Sequence, residues 1–180
     1  MALKATIFKA DVQIADMDRN YYQDHVLTLA RHPSETDERL MVRLLAFAIH
    51  ASDTLTFTKG LFDTDEPDLW SKDLTGAIKL WVEIGQPDEK RILKACGRSE
   101  RVVVYSYGAT SHIWWKQMAN KLERARNLTV INLPATAAAD LATLAQRTMH
   151  LQCTIQDGQI WLTDGTTTVE IARETVKSGR

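Results

Sequence analysis

Carboxylates crowd one short stretch of this chain. Asp63, Asp65, Glu66 and Asp68 fall within six residues, and Glu83 follows near the end of an apolar run. Oxygen ligands at that density can hold a hard divalent cation. The same acids can equally do no more than keep a loop hydrated. Two arginines offer the complementary charge. Glu35, Arg39 and Arg43 recur at i, i+4 and i+8, which stacks them on one face of a helix. A solvated ladder of such pairs is worth about 0.2–0.5 kcal/mol per pair. A cationic edge aimed at phosphate is the functional alternative, since a guanidinium matches phosphate as a bidentate fork. Other chemistries lack their residues. His25, His32, His50, His112 and His150 stand near no defensible nucleophile, and the chain has neither a P-loop nor a GxGxxG fingerprint.

These side chains need elements to position them. Residues 78–84, IKLWVEI, read as a buried strand. Gly85 and Gln86 break the run, Pro87 suits the first position of a helix, and Asp88 and Glu89 suit its first turn. Gly97 can close that helix. Glu83 then lies near a strand's carboxyl end, where open α/β sheets form their ligand crevices. Pro67 makes the acid-rich stretch a loop or a strand entry. Residues 69–71 can pair with 78–84 around 72–77, which brings the acids toward Glu83. Arg39 and Arg43 belong to a helix predicted over 34–50, with Ser34 as N-cap and Asp37 in the capping-box position. Leu40, Met41, Leu44, Leu45, Ala48 and Ile49 form its apolar stripe.

The remaining pattern predicts an α/β fold, a mixed sheet flanked by helices. Further strands are expected at 55–61, 101–107 and 128–133, and helices from Ser111 and from Pro134, the latter capped by Thr136. Trp114 and Trp115 are neighbours that can stack on bases, but their helical spacing with Met118 and Leu122 reads as core. Strand–helix alternation argues for a parallel portion of the sheet. Residues 3–14 and 21–31 form an N-terminal hairpin about the turn cluster 16–20. Residues 149–156, 159–163 and 166–172, separated by Asp157-Gly158 and Asp164-Gly165, read as a C-terminal antiparallel meander. Residues 173–180 read as a frayed polar tail.

Composition narrows the classes. The 180 residues suit a single domain with a real core, and a net charge of −1 provides no global basic field for nucleic acid, although a local patch stays open. Cys96 and Cys153 have no zinc spacing, and reduced thiols in a cytoplasmic protein are the simplest account. Charge interrupts the N-terminus too often for a signal peptide, and no apolar run approaches a membrane span.

Several segments together are specific. RHPSET at 31–36, DEP at 65–67, WVEIGQPDE at 81–89, IWW at 113–115, RTM at 147–149 and TIQDGQIWL at 154–162 resemble the YaeQ family over nearly the whole chain. That resemblance implies a variation on the PD-(D/E)XK nuclease core: a helix, a hairpin carrying an Asp and a (D/E)-x-K, then a helix and a strand. In such a core two acids bind Mg²⁺ or Mn²⁺ and the lysine helps activate water. Transferred here, the motif falls on Pro67-Asp68 and Glu83-Ile84-Gly85. Asp68 and Glu83 become the metal acids, with Asp65 or Glu66 as substitutes for Asp68. Gly85 stands where the lysine belongs, so Gln86 or Lys94 would have to replace it. The resemblance leaves two functions: a metal-dependent phosphodiesterase acting on nucleic acid with Arg39 and Arg43 on its phosphates, or a degenerate nuclease fold that binds nucleic acid or protein without chemistry.

Overall fold

A computed structural model describes residues 4–58 and 65–180. Two mixed sheets pack with helices between and outside them. β1 (Thr6–Asp16) and β2 (Tyr21–Arg31) form the N-terminal hairpin in unbroken antiparallel register. Asn20, at φ 55°, makes its turn, a backbone region asparagine tolerates. β8 (Thr148–Gln156), β9 (Gln159–Thr163) and β10 (Thr168–Ala172) form the meander. Hairpin and meander are one sheet of order β10-β9-β8-β1-β2, because β8 runs parallel to β1 from Lys9↔Thr148 to Asp16↔Ile155.

The second sheet takes the order β11-β7-β6-β5-β4-β3. Its members are β3 (Leu55–Phe57), β4 (Leu69–Lys72), β5 (Ile78–Ile84), β6 (Ser99–Tyr107), β7 (Leu128–Leu133) and β11 (Glu174–Lys177). β5, β6 and β7 are parallel, joined through α2 (Glu89–Arg98) and α3 (Ser111–Met118), while β3 and β4 add antiparallel at one edge. α1 (Asp37–His50) and α4 (Ala135–Ala142) share the main core with the inner faces of both sheets. α2 and α3 cover the other face through Trp81, Ile92, Val104, Trp114 and Val130. Trp114 is therefore core, and Trp115 packs at that core's margin. No helix among the described residues is long and apolar enough to cross a membrane.

The structure corrects several boundaries. α1 is capped by Thr36, whose side chain accepts from the Arg39 amide; the Ser34 hydroxyl turns to His32 Nδ1 at 2.8 Å. Asp37 is then the first helical residue, too early for a capping box, and it pairs with Arg31. α2 begins at Glu89 with Asp88 as its N-cap, so Pro87 precedes the helix instead of opening it, and Gly97 lies inside that helix. Pro134, not Thr136, occupies the N-cap of α4. Residues 174–177 are no frayed tail: they pair antiparallel with β7 and cover its edge. The far end of the strand expected over 55–61, and Asp63, lie outside the described residues.

The acid–arginine ladder is real and it is buried. Glu35 is 6% exposed and Arg43 3%. Arg43 Nη2 and Nε donate to Glu35 Oε1 and Oε2 at 2.8 and 3.0 Å, and Arg39 Nη1 donates to Oε2 at 2.7 Å. Burial of both partners removes the solvated reading, because water no longer competes for the charges. Breaking a buried pair by removing one partner costs roughly 3–5 kcal/mol, since the other charge is stranded. Glu35→Gln should therefore lose stability of that order in urea unfolding. Glu35→Leu with Arg43→Met should recover most of it, as an apolar pair replaces the ions. Equal losses in the two variants would contradict this account.

A candidate cleft at the carboxyl end of β5

Parity along β5 places its side chains. Leu80, Val82 and Ile84 belong to the main core, so Trp81 and Glu83 face the α2 side. Asp68 enters β4 beside them: its amide donates to the Val82 carbonyl at 3.0 Å, and its Oδ2 accepts from the Ile84 amide at 2.8 Å. Asp68 and Glu83, each 4% exposed, thus line one cleft of about 340 Å³ with Arg39, Gly85, Gln86 and Arg91. The expectation that a hairpin would carry an acid from the loop toward Glu83 agrees with this geometry for Asp68.

Both acids are engaged by cations. Arg39 Nη2 donates to Asp68 Oδ1 at 2.7 Å and to the Ile84 carbonyl at 3.3 Å. Glu83 Oε1 accepts from Trp81 Nε1 at 2.9 Å and from Arg91 Nε at 2.8 Å. Arg91 also donates from Nη2 to the Glu66 carbonyl at 2.8 Å, which ties the acid-rich loop to α2. Burial, and then the charge of Asp68, push the Glu83 carboxyl up to about 7, against the opposing pull of Arg91 and the Trp81 N–H. Two carboxylates that sense each other in a low-dielectric cleft resist ionising together.

The other expected site residues divide. Gln86 lines the cleft, with its side-chain amide donating to Thr110 Oγ1 at 2.9 Å. Lys94 does not line it; it pairs with Asp65 at 3.0 Å on the surface. Glu66 meets the site through its backbone carbonyl. Arg43 points away, to Glu35 and the Ala30 carbonyl, so of the two arginines only Arg39 reaches the cleft. Among the described residues no group of three or more His, Cys, Asp or Glu side chains is placed to hold a metal. The strand ends at Ile84, and Gly85 takes φ 112°, which a side chain at that position would find strained. The position at which the resemblance implies a lysine is therefore held by a backbone conformation that suits glycine. Arg91 escaped the sequence reading. Its signal is its position in the first turn of α2, facing back over the strand end that carries Glu83.

Glu83 makes stability depend on pH. The fold favours its protonated form, so this contribution is full below its ordinary value of 4.5 and is lost as pH rises through about 7. A shift of that size corresponds to about 3 kcal/mol. Urea unfolding at pH 4 and pH 8 should show the native chain losing about that much more than Glu83→Gln. Parallel losses in the two proteins would mean that Glu83 ionises as an ordinary acid.

Comparison with known proteins places the chain. Residues 1–173 match the family model described as YaeQ protein. The chain is 50% identical over 172 residues to a protein of Salmonella typhi named "Uncharacterized protein YaeQ", covering 95% of each. It is 49% identical over 172 residues to the protein of the same name from Escherichia coli K12, again covering 95% of each. The crystal structure of a YaeQ protein from Xanthomonas axonopodis pv. citri superposes with a TM-score of 0.93 at 50% identity, over 97% of this chain and 99% of that one. That of a YaeQ protein from Pseudomonas syringae gives 0.93 at 33% identity, over 97% of each chain. Its mixed α/β architecture of two sheets is thus one already seen in crystals, and the chain belongs to the YaeQ family.

Proposed function

We propose that this protein is a degenerate nuclease-fold module that binds nucleic acid through the β5 cleft without hydrolysing it. The element order α1, β4–β5 hairpin, α2, β6 and the presence of Asp68 and Glu83 in one cleft support reading the chain as a variation on the PD-(D/E)XK core. The observation that carries the reading is Arg39. Its guanidinium spans Asp68 Oδ1 and the Ile84 carbonyl, two oxygens that a divalent cation would need. A buried cation of the protein's own thus neutralises the site. Mg²⁺ or Mn²⁺ does not fit these residues as they are arranged, and no hydrolytic step follows from them.

Binding follows from the charge balance. Arg39 and Arg91 face Asp68 and Glu83 across the cleft, and Glu35 is balanced by Arg43. Protonation of Glu83 removes one negative charge from the cleft, so Arg39 and Arg91 face one carboxylate rather than two and the cleft gains one positive charge toward a phosphate. Affinity for a phosphodiester should therefore rise as pH falls through about 7.

The competing reading is an active metal-dependent phosphodiesterase, which the mutual influence of the two acids favours, since a divalent ion would relieve it. Calorimetry with Mg²⁺ and Mn²⁺, together with incubation of single- and double-stranded DNA and RNA, separates the two. The degenerate reading expects no metal binding and no cleavage. It also expects oligonucleotide binding by fluorescence anisotropy that is stronger at pH 6 than at pH 8 and weakened roughly tenfold in Arg91→Gln, the loss of one charge-assisted hydrogen bond. Metal-dependent cleavage abolished by Glu83→Ala would establish the active enzyme instead. Absence of any oligonucleotide binding would overturn both.

A further inference from the structure

A second cavity, of about 350 Å³, lies at the carboxyl ends of β6 and β7. It is separate from the β5 cleft, although the Gln86–Thr110 hydrogen bond links their walls. Gly108, Ser111, Asn132, Pro134 and Thr136 line it, with His112 and Glu174 also contributing. Two eight-residue helices, α3 and α4, begin there, and neither has a side-chain cap. The first-turn amides of a helix lack intrahelical acceptors. Those of His112 and Ile113 in α3 and of Ala135, Thr136 and Ala137 in α4 are therefore open donors at positive dipole ends.

The cavity's inner wall carries an independent sign. Asn132 is 2% exposed, and its Nδ2 is buried with no hydrogen-bond partner. A polar relay orients this amide. Ser106 donates its hydroxyl proton to Asn132 Oδ1, so the 2.6 Å contact between Ser106 and Ser111 must be a donation from Ser111. The relay uses the Asn132 Oδ1 and leaves its Nδ2 without a hydrogen-bond partner. A buried donor left unmade is costly. Here it lies beside two uncapped helix starts.

We propose that this cavity is a binding site for a small oxyanion, a phosphate group or a carboxylate, received by the Asn132 side-chain amide and the first-turn amides of α3 and α4. Asn132 and the starts of α3 and α4 border this one cavity and offer it neutral donors, and helix N-termini favour negative charge. Glu174 is the opposing charge. Its Oε2 sits 3.5 Å from His112 Nε2, and both side chains are largely exposed, which leaves the acid at the solvent margin. The site does not depend on the nucleic-acid reading of the β5 cleft, because it uses neither Arg39 nor Arg91.

Amide NMR of the full chain, titrated separately with inorganic phosphate and with acetate, tests this. Saturable shifts are expected at the backbone amides of His112, Ile113, Thr136 and Ala137 and at the Asn132 side-chain amide. Shifts with phosphate alone identify a phosphate group, and comparable shifts with acetate identify a carboxylate. Asn132→Asp removes the donor and adds a negative charge, and should weaken binding by about tenfold or more. Glu174→Gln, an exposed change that leaves the relay intact, should tighten it. No saturable shift at these amides with either anion would overturn the site. So would shifts confined to residues of the β5 cleft, or binding indifferent to both substitutions.

Discussion

A buried line of alternating charge holds the molecule's layers in place. It runs from the Ala30 carbonyl on β2 to Arg43, Glu35, Arg39 and Asp68, and ends on the Ile84 amide of β5. The first strand belongs to one sheet and the last to the other, with α1 between them. Each ion would be expensive to bury alone. Each is acceptable because its neighbours on the line are an opposite charge or a backbone dipole, each joined to it by a hydrogen bond at 2.7–3.1 Å. The line therefore sets the position of α1 on both sheets more sharply than apolar packing would, since hydrophobic contact is non-directional.

The same line limits the chemistry. A hard divalent cation takes oxygen ligands, most often carboxylates, that are free to turn toward it. At the end of β5, Arg39 has already taken one oxygen of Asp68 and the Ile84 carbonyl. Removing Arg39 to admit a metal would strand Asp68 and leave Glu35 with one arginine. Glu83 lies outside the line, held by Arg91 and Trp81, and is the acid of this cleft whose ionisation is displaced upward.

Local signals made much of this legible in the residues themselves. β2, β5, β7 and β9 begin and end where their apolar or β-branched runs and bounding turns say they should. Asp157-Gly158 makes the tight turn its dipeptide signals, with φ 53° and 78°. Glu83 was visible as an acid at a strand's end before a helix. Distant pairings were not legible. Nothing in residues 9–16 announces a parallel partner at 148–155, and the polar stretch 174–177 becomes a strand because β7 offers it an edge. Helix caps moved by one or two residues because several candidates lie side by side, as Ser34 and Thr36 do. The ladder face was legible at i, i+4 and i+8, but its burial was not, because Asp68 comes from a loop far along the chain.

One geometric rule accounts for both cavities. On the face covered by α2 and α3, Trp81, Val104 and Val130 form apolar core across β5, β6 and β7. Two residues further along each strand the side chains become Glu83, Ser106 and Asn132, all buried and all polar. The helices that follow β5 and β6 start beyond the strand ends and run back over this face, whereas α4, which follows β7, packs on the other, so cover thins toward the carboxyl rim while helix N-termini gather there. Polar side chains at the rim then meet amide donors and the positive ends of helix dipoles rather than hydrocarbon. At β5 a carboxylate and two arginines fill that position. At β6 and β7 a serine–asparagine relay fills it and leaves a donor over. Both cavities sit at the carboxyl ends of parallel strands, where the last inward-facing side chains of β5, β6 and β7 are polar rather than apolar.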